Sequence, residues 1–194
     1  MSNDTPFPTH RHVLADGRRL AFTDTGPSHA RDVLVCLPGV LETRQTFAPV
    51  LHARPTGLRC LSLDYCGRGD SDPLPGDQGY SMARYCDDLL HFLGRHLQAH
   101  VRLHLLGTSM GGILAFYLMS SRAFGVQTLL LNDIGLSLHW MSLLGMYQDM
   151  KKEAGSLEPW ALAKRLQVTP GVLASVQLPT HFDLPYRKGI RGMH

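Results

Sequence analysis

The sequence predicts an α/β fold: a mostly parallel sheet with helices on both faces, incomplete on its C-terminal side, followed by a helical lid segment. Three observations carry this. Strand-length segments at about 32–37, 58–64, 101–106 and 127–133 alternate with helical or loop stretches. The first of them, Asp32-Val33-Leu34-Val35-Cys36-Leu37, is nearly continuously apolar, as a strand covered on both faces is. The third, Val101 to Leu106, runs into Gly107-Thr108-Ser109-Met110-Gly111-Gly112, and an apolar helical stretch, Ile113 to Leu118, leaves it.

In chain order, residues 1–10 read as a flexible arm. Arg11–Ala15 and Arg18–Thr23 flank Asp16-Gly17, the pattern of a tight hairpin. The strand at 32–37 ends in Pro38-Gly39-Val40-Leu41, and a short helix is expected over about Thr43–Leu51. The strand at 58–64 runs into Tyr65-Cys66-Gly67-Arg68-Gly69-Asp70-Ser71-Asp72. Ser81 reads as an N-cap. Met82, Tyr85, Cys86, Leu89, Leu90, Leu93 and Leu97 then recur at helical spacing, with Arg84, Asp87, Asp88, His91 and Arg95 off that stripe. The helix after Gly112 is apolar nearly all round, which predicts burial. Gln127–Asp133 reads as a further buried strand. The domain reading is thus a core over 11–135, a cap over 136–180, and an irregular basic tail over 181–194.

In such sheets ligands lie beyond the carboxyl ends of the strands. Pro38-Gly39-Val40, Asp64–Gly67, Ser109 and Asp133 all follow strand ends and therefore share one rim. The Gly-x-Ser-x-Gly turn between strand and helix is a nucleophile elbow. Its serine takes a strained backbone conformation, so small neighbours are needed two positions away, and Gly107 and Gly111 supply them. Trp140, Met141, Leu144 and the segment around Leu157–Leu166 read either as ordinary packing helices or as a lid whose apolar side chains line a pocket.

Composition narrows the partners. A net charge of +3, from 19 basic and 16 acidic residues, is too small and dispersed to argue for nucleic acid. No run approaches the ~18–20 apolar residues of a membrane span. The start, Met1-Ser2-Asn3-Asp4-Thr5-Pro6, lacks a signal-peptide apolar core, so a cytoplasmic placement is expected. Cys36, Cys60, Cys66 and Cys86 form no C-x-x-C pair, and neither a metal nor a cofactor is expected. Buried reduced thiols are expected for Cys36, Cys60 and Cys86. Cys66 sits in a loop near the rim, where a reactive role is the alternative.

Four motifs in order, Leu37-Pro38-Gly39-Val40, Leu63–Ser71, Gly107–Gly112 and Leu131-Asn132-Asp133-Ile134-Gly135, give the chain its resemblance to the α/β-hydrolase superfamily. It looks most like carboxylester-hydrolase-like members with a helical cap. The resemblance implies Ser109 as nucleophile and the backbone N–H groups of Val40 and Met110 as the oxyanion hole. It implies a pocket drawing on Leu41, Trp140, Met141 and Leu144, for a small ester-like or other apolar substrate. Asp64, Arg68 and Asp70 are expected to shape their loop rather than do chemistry. A triad also needs an acid and a histidine, in the order Ser, Asp/Glu, His. Family members usually carry these after later strands, which this sequence is not expected to include. Asp133 is an alternative acid, and His139, His181 and His194 are the candidate bases. Without further strands, Gln127–Asn132 is expected to be an exposed apolar edge that favours self-association. The two readings are a serine hydrolase of a carboxylic ester or a related acyl or C–C bond, and a fold retained as a ligand- or partner-binding module without catalysis.

Overall fold

The computed structural model describes residues 6–40, 42–75 and 80–134, and the backbone of 182–183. Trp140, Met141 and Leu144, expected in a lid, Leu41, expected at the pocket, and the candidate bases His139, His181 and His194 lie outside the described residues. Six strands form one sheet in the order β1-β2-β4-β3-β6-β7. These are β1 (His10–Val13), β2 (Arg19–Thr25), β3 (Asp32–Leu37), β4 (Arg59–Leu63), β6 (Arg102–Thr108) and β7 (Val126–Asn132). Only β2 runs against the others, pairing antiparallel with both β1 and β4; β4, β3, β6 and β7 are parallel to one another. The chain therefore starts a parallel layer at β3, steps one way to β4, and crosses back to β6 and β7. The end of β3 is the place where the winding reverses, which in open α/β sheets is where ligand crevices form. A second, two-stranded pairing joins β5 (Tyr80–Ser81) to β8 (Phe182–Asp183) in parallel.

Strand alternation distributes the core. Val33, Val35 and Leu37 face α2 (Met82–His96) and α3 (Met110–Ser121), whereas Leu34 and Cys36 pack with Phe47, Leu51 and Cys60 on the other face. Helix α2 has the expected apolar stripe, and the Ser81 hydroxyl accepts from the Arg84 N–H at 3.2 Å, a cap of about 1 kcal/mol. The hairpin turn is as expected, with Gly17 at φ 86°.

Several expectations are corrected. The single helix foreseen over 43–51 is a 3-10 turn, Arg44–Phe47, followed by the short α1 (Ala48–His52). Pro49 has no N–H to continue the ladder and restarts the helix in its first turn. Before β1, Phe7 lies against His52 with ring centroids 4.3 Å apart and the rings tilted by 33°, and Thr9 Oγ1 accepts from Arg44 at 2.7 Å. Asp88, placed off the apolar stripe of α2, is buried, because Arg18 forms a two-pronged pair with it at 2.7 and 2.8 Å. Helix α3 is not covered all round; Tyr117 and Met119 are exposed. The two readings of Gln127–Asn132, buried strand and exposed edge, divide here: β7 is the last strand of the sheet among the described residues, and Leu130 is 48% exposed, as at an edge.

On the α2 side of β1, three imidazoles touch in series. His12 Nε2 is 2.9 Å from His91 Nδ1, and His96 Nε2 is 3.2 Å from His12 Nδ1. Burial pushes the pKa of His96 down to about 4, aided by His12 and Arg59, and burial with His91 and Arg95 lowers that of His12. The folded chain thus holds both rings neutral, while the unfolded chain protonates near 6.5. Stability is full above that value and falls as pH drops from about 6.5 toward 4. For His96 the linkage is at most about 3 kcal/mol, and about 1–2 kcal/mol after discounting for solvent screening of a half-buried ring. His96→Leu is therefore expected to lose less melting temperature than the parent between pH 7.5 and 4.5. Parallel thermal melts that fall equally would contradict this.

Candidate active site

The site is built where β6 meets α3. Ser109 sits between them at φ 49° and ψ −114°, a left-handed conformation that non-glycine residues rarely adopt. Its N–H donates to the Asn132 carbonyl at 3.0 Å, and its own carbonyl accepts from the Gly112 N–H at 2.9 Å. The turn is thereby tied to β7 on one side and to the first turn of α3 on the other. The side chain is partly exposed. Asn132 Nδ2 also donates to Thr108 Oγ1 at 3.3 Å, closing the β6–β7 end.

The glycines are required by space. A Cβ on Gly107 would lie 2.5 Å from the Gly111 oxygen and from Gly112 Cα. A Cβ on Gly111 would collide with the Leu37 carbonyl and lie 2.8 Å from the Pro38 oxygen. That second contact is informative about the rim. The start of α3 is packed against the end of β3, so the Pro38-Gly39-Val40 turn and the serine are neighbours. Tyr65 Oη donates to the Pro38 carbonyl at 3.1 Å and fixes the turn from the β4 side. Among the described residues the Val40 N–H is donated to no other group, and the Met110 N–H is one of the orphan donors at a helix start. Two N–H groups from adjacent turns are thus available at the rim.

Two carboxylates reach the same end of the sheet. Asp133 follows β7 at φ 55° and is exposed. Glu42 Oε2 accepts the Gly39 N–H at 2.7 Å, and its own N–H donates to the Gly39 carbonyl at 3.2 Å. Burial pushes the Glu42 carboxyl up, and the negative charge of Asp133 adds to the push. Sequence reasoning missed Glu42. Its signal was the carboxylate nearest to the Pro-Gly turn.

Beneath the rim lies a buried charge network. Arg44 NH1 is in contact with Asp64 Oδ2, the Arg44 backbone N–H donates to Asp64 Oδ1 at 2.6 Å, and Arg44 NH2 reaches Asp70 at 2.6 Å. Asp64 also accepts the Asp70 N–H at 3.1 Å. Arg68 is fully buried, its guanidinium 5.7 Å from the centre of the Tyr85 ring. Asp64 and Asp70 therefore shape the loop after β4, as expected, with Arg44 as a partner no sequence pattern announced. Cys66 is buried, not reactive: burial raises its thiol pKa to about 12, with Asp88 adding to the rise. Cys86, expected to be buried, is only partly so.

The described histidines lie elsewhere. His10, His12, His91 and His96 gather between β1 and α2. His29 and His100 precede β3 and β6, His52 ends α1, and His104 bonds Asp32. No group of three or more His, Cys, Asp or Glu among the described residues is arranged to hold a metal ion, and no described helix is long and apolar enough to cross a membrane.

The chain belongs to the alpha/beta hydrolase fold family, whose model matches residues 32–151. It is 33% identical over 120 residues to the 3-hydroxybutyrate-oligomer hydrolase of Cupriavidus necator, an alignment that covers 62% of this chain and 40% of that protein. Among solved structures it resembles an alpha/beta hydrolase from Novosphingobium aromaticivorans, with a TM-score of 0.66 and 24% identity over 78% of this chain and 56% of that one. A hydrolase from Pseudomonas aeruginosa matches with a TM-score of 0.63 and 24% identity, over 88% of this chain and 67% of that one. These two likenesses speak for the fold. The chain spans 40% of the length of the curated relative it matches.

Proposed function

We propose that this chain is a serine hydrolase that cleaves a carboxylic ester, or a related acyl or C–C bond, through an acyl-enzyme on Ser109. The observation that carries this reading is the strained Ser109, wedged between two space-limited glycines beside the Pro38-Gly39-Val40 turn. Ser109 Oγ attacks the substrate carbonyl and gives its proton to a general base. The carbonyl oxygen becomes an oxyanion, held by the Val40 and Met110 N–H groups. The bond from the acyl carbon to the leaving oxygen then breaks, and the leaving group departs with that proton. Water, deprotonated by the same base, releases the acid and regenerates Ser109. Asp133 is the candidate acid of the triad, and His139, His181 and His194 are the candidate bases. The curated relative acts on 3-hydroxybutyrate oligomers, which are esters, and this supports an ester over other acyl bonds.

The test compares the purified chain with Ser109→Ala, using a fluorophosphonate probe and short-chain nitrophenyl esters. Labelling and turnover are expected in the parent and absent in the variant. Equal signals from the two proteins would sink the Ser109 mechanism and favour the fold as a binding module.

A further inference from the structure

The Pro38-Gly39-Val40 turn is short and rich in backbone donors, and its shape decides whether it can serve an oxyanion. Among the described residues, three hydrogen bonds hold it. Tyr65 Oη grips the Pro38 carbonyl, the Gly39 carbonyl accepts the Glu42 N–H, and the Glu42 carboxylate takes the Gly39 N–H. The last is the shortest of the three at 2.7 Å and the only one made by a charged group. Glu42 also occupies the space over Gly39: a Cβ there would lie 3.0 Å from Glu42 Oε2. With the Gly39 N–H taken, Val40 keeps the turn's uncommitted donor.

We propose that Glu42 is a positioning residue for acyl transfer at Ser109: by clamping the Gly39 N–H it sets the turn that presents the Val40 N–H to the oxyanion. The proposal rests on the Ser109 reading. Glu42 makes no contact with the reacting atoms in this role. It acts through the peptide that follows Gly39.

The clamp has a protonation dependence. Among the described residues, the ionisable groups that act with Glu42 are Asp133, from the end of β7, and the Tyr65 phenol, from the end of β4. Burial and the Asp133 charge both favour the neutral acid, and the Gly39 N–H opposes them. An ionised carboxylate is the stronger acceptor. The clamp therefore loosens as pH falls through the raised Glu42 pKa, a change that a glutamine at this position cannot undergo.

The experiment measures the second-order rate of fluorophosphonate labelling at Ser109 in the full chain, with Glu42→Ala and Glu42→Gln beside the parent, across pH. The Gly39 amide resonance and the melting temperature are followed in the same proteins. Glu42→Ala is expected to label about tenfold more slowly, with its Gly39 amide shifted and its melting temperature little changed. Glu42→Gln, which keeps an acceptor, is expected to stay within about threefold of the parent and to lose one acid limb from the rate profile. The parent Gly39 amide is expected to titrate with Glu42, and the Gln variant's is not. Labelling of Glu42→Ala at the parent rate would overturn the proposal. So would equal slowing of both variants without movement of the Gly39 amide, since that describes a general structural loss. A parent that does not label at all fails a different claim, the Ser109 mechanism, and removes this one with it.

Discussion

Arg44→Ala is expected to destabilise the fold by about 3–5 kcal/mol, because it leaves a buried carboxylate without its cation. Asp64 is fully buried and Arg44 is 3% exposed. Burial pushes the Asp64 carboxyl up, while the Arg44 guanidinium and the Arg44 and Asp70 N–H groups pull it back down. Removing the guanidinium removes the largest of those opposing pulls and leaves the burial cost in place. The loss should not stay local. Arg44 also reaches Asp70 and Thr9, and its carbonyl accepts from Ser62 Oγ at 3.0 Å. One side chain thus joins the N-terminal segment, the 3-10 turn after Glu42 and the loop after β4. Asp64→Asn should cost less than Arg44→Ala, since an amide oxygen can still accept from the backbone N–H groups. A double-mutant cycle, read by denaturant unfolding, should give a coupling of about 1–3 kcal/mol between the two sites. Single losses below about 1 kcal/mol, simply additive in the double variant, would show that the pair does not hold the loop.

That network marks the boundary of what sequence pattern can reveal. The buried strand β3 was legible because its apolar run is continuous. Helix α2 was legible because its stripe and its Ser81 cap agree. Those signals are local, and the structure follows them closely. Arg44 carries no local signal: it is a basic residue in a polar stretch, and its burial depends on a carboxylate 20 residues later. Asp88 fails for the same reason, being drawn inside by Arg18, which lies just before β2 and 70 residues away. β7 differs: a run such as Leu129-Leu130-Leu131 reads locally as a covered strand, whereas the strand count marks Gln127–Asn132 as an exposed edge, and among the described residues Leu130 is exposed.

The candidate site divides in the same way. The elbow was legible because its constraint is steric and therefore written in residue size at fixed spacing. The convergence of Pro38-Gly39-Val40, Ser109 and Asp133 followed from parallel topology alone. The Glu42 clamp was not legible, because a carboxylate bonding an N–H three residues back has no periodic signature.

The elbow's steric constraint gives the sharpest contrast between two glycines. Gly111→Ala is expected to destabilise the chain by about 3 kcal/mol or more, at or above the usual range for overpacking. The added Cβ meets the carbonyl carbon of Leu37 at 2.5 Å and the Pro38 oxygen at 2.8 Å, and both are backbone atoms that cannot rotate away. Relief requires α3 to lift from β3 or the end of β3 to retreat. Either movement separates Ser109 and the Met110 N–H from the Val40 N–H. Fluorophosphonate labelling should therefore fall even in the fraction that remains folded. Gly94→Ala is the matched control. Gly94 lies within α2, and a Cβ there would meet nothing within 4 Å, so the substitution should gain about 0.5–1 kcal/mol of helix stability. Denaturant melts of the two variants should move in opposite directions, although the chemical change is identical. If Gly111→Ala melts and labels like the parent, the packing of the elbow against β3 is wrong, and with it the juxtaposition of serine and turn on which the proposed acyl transfer depends.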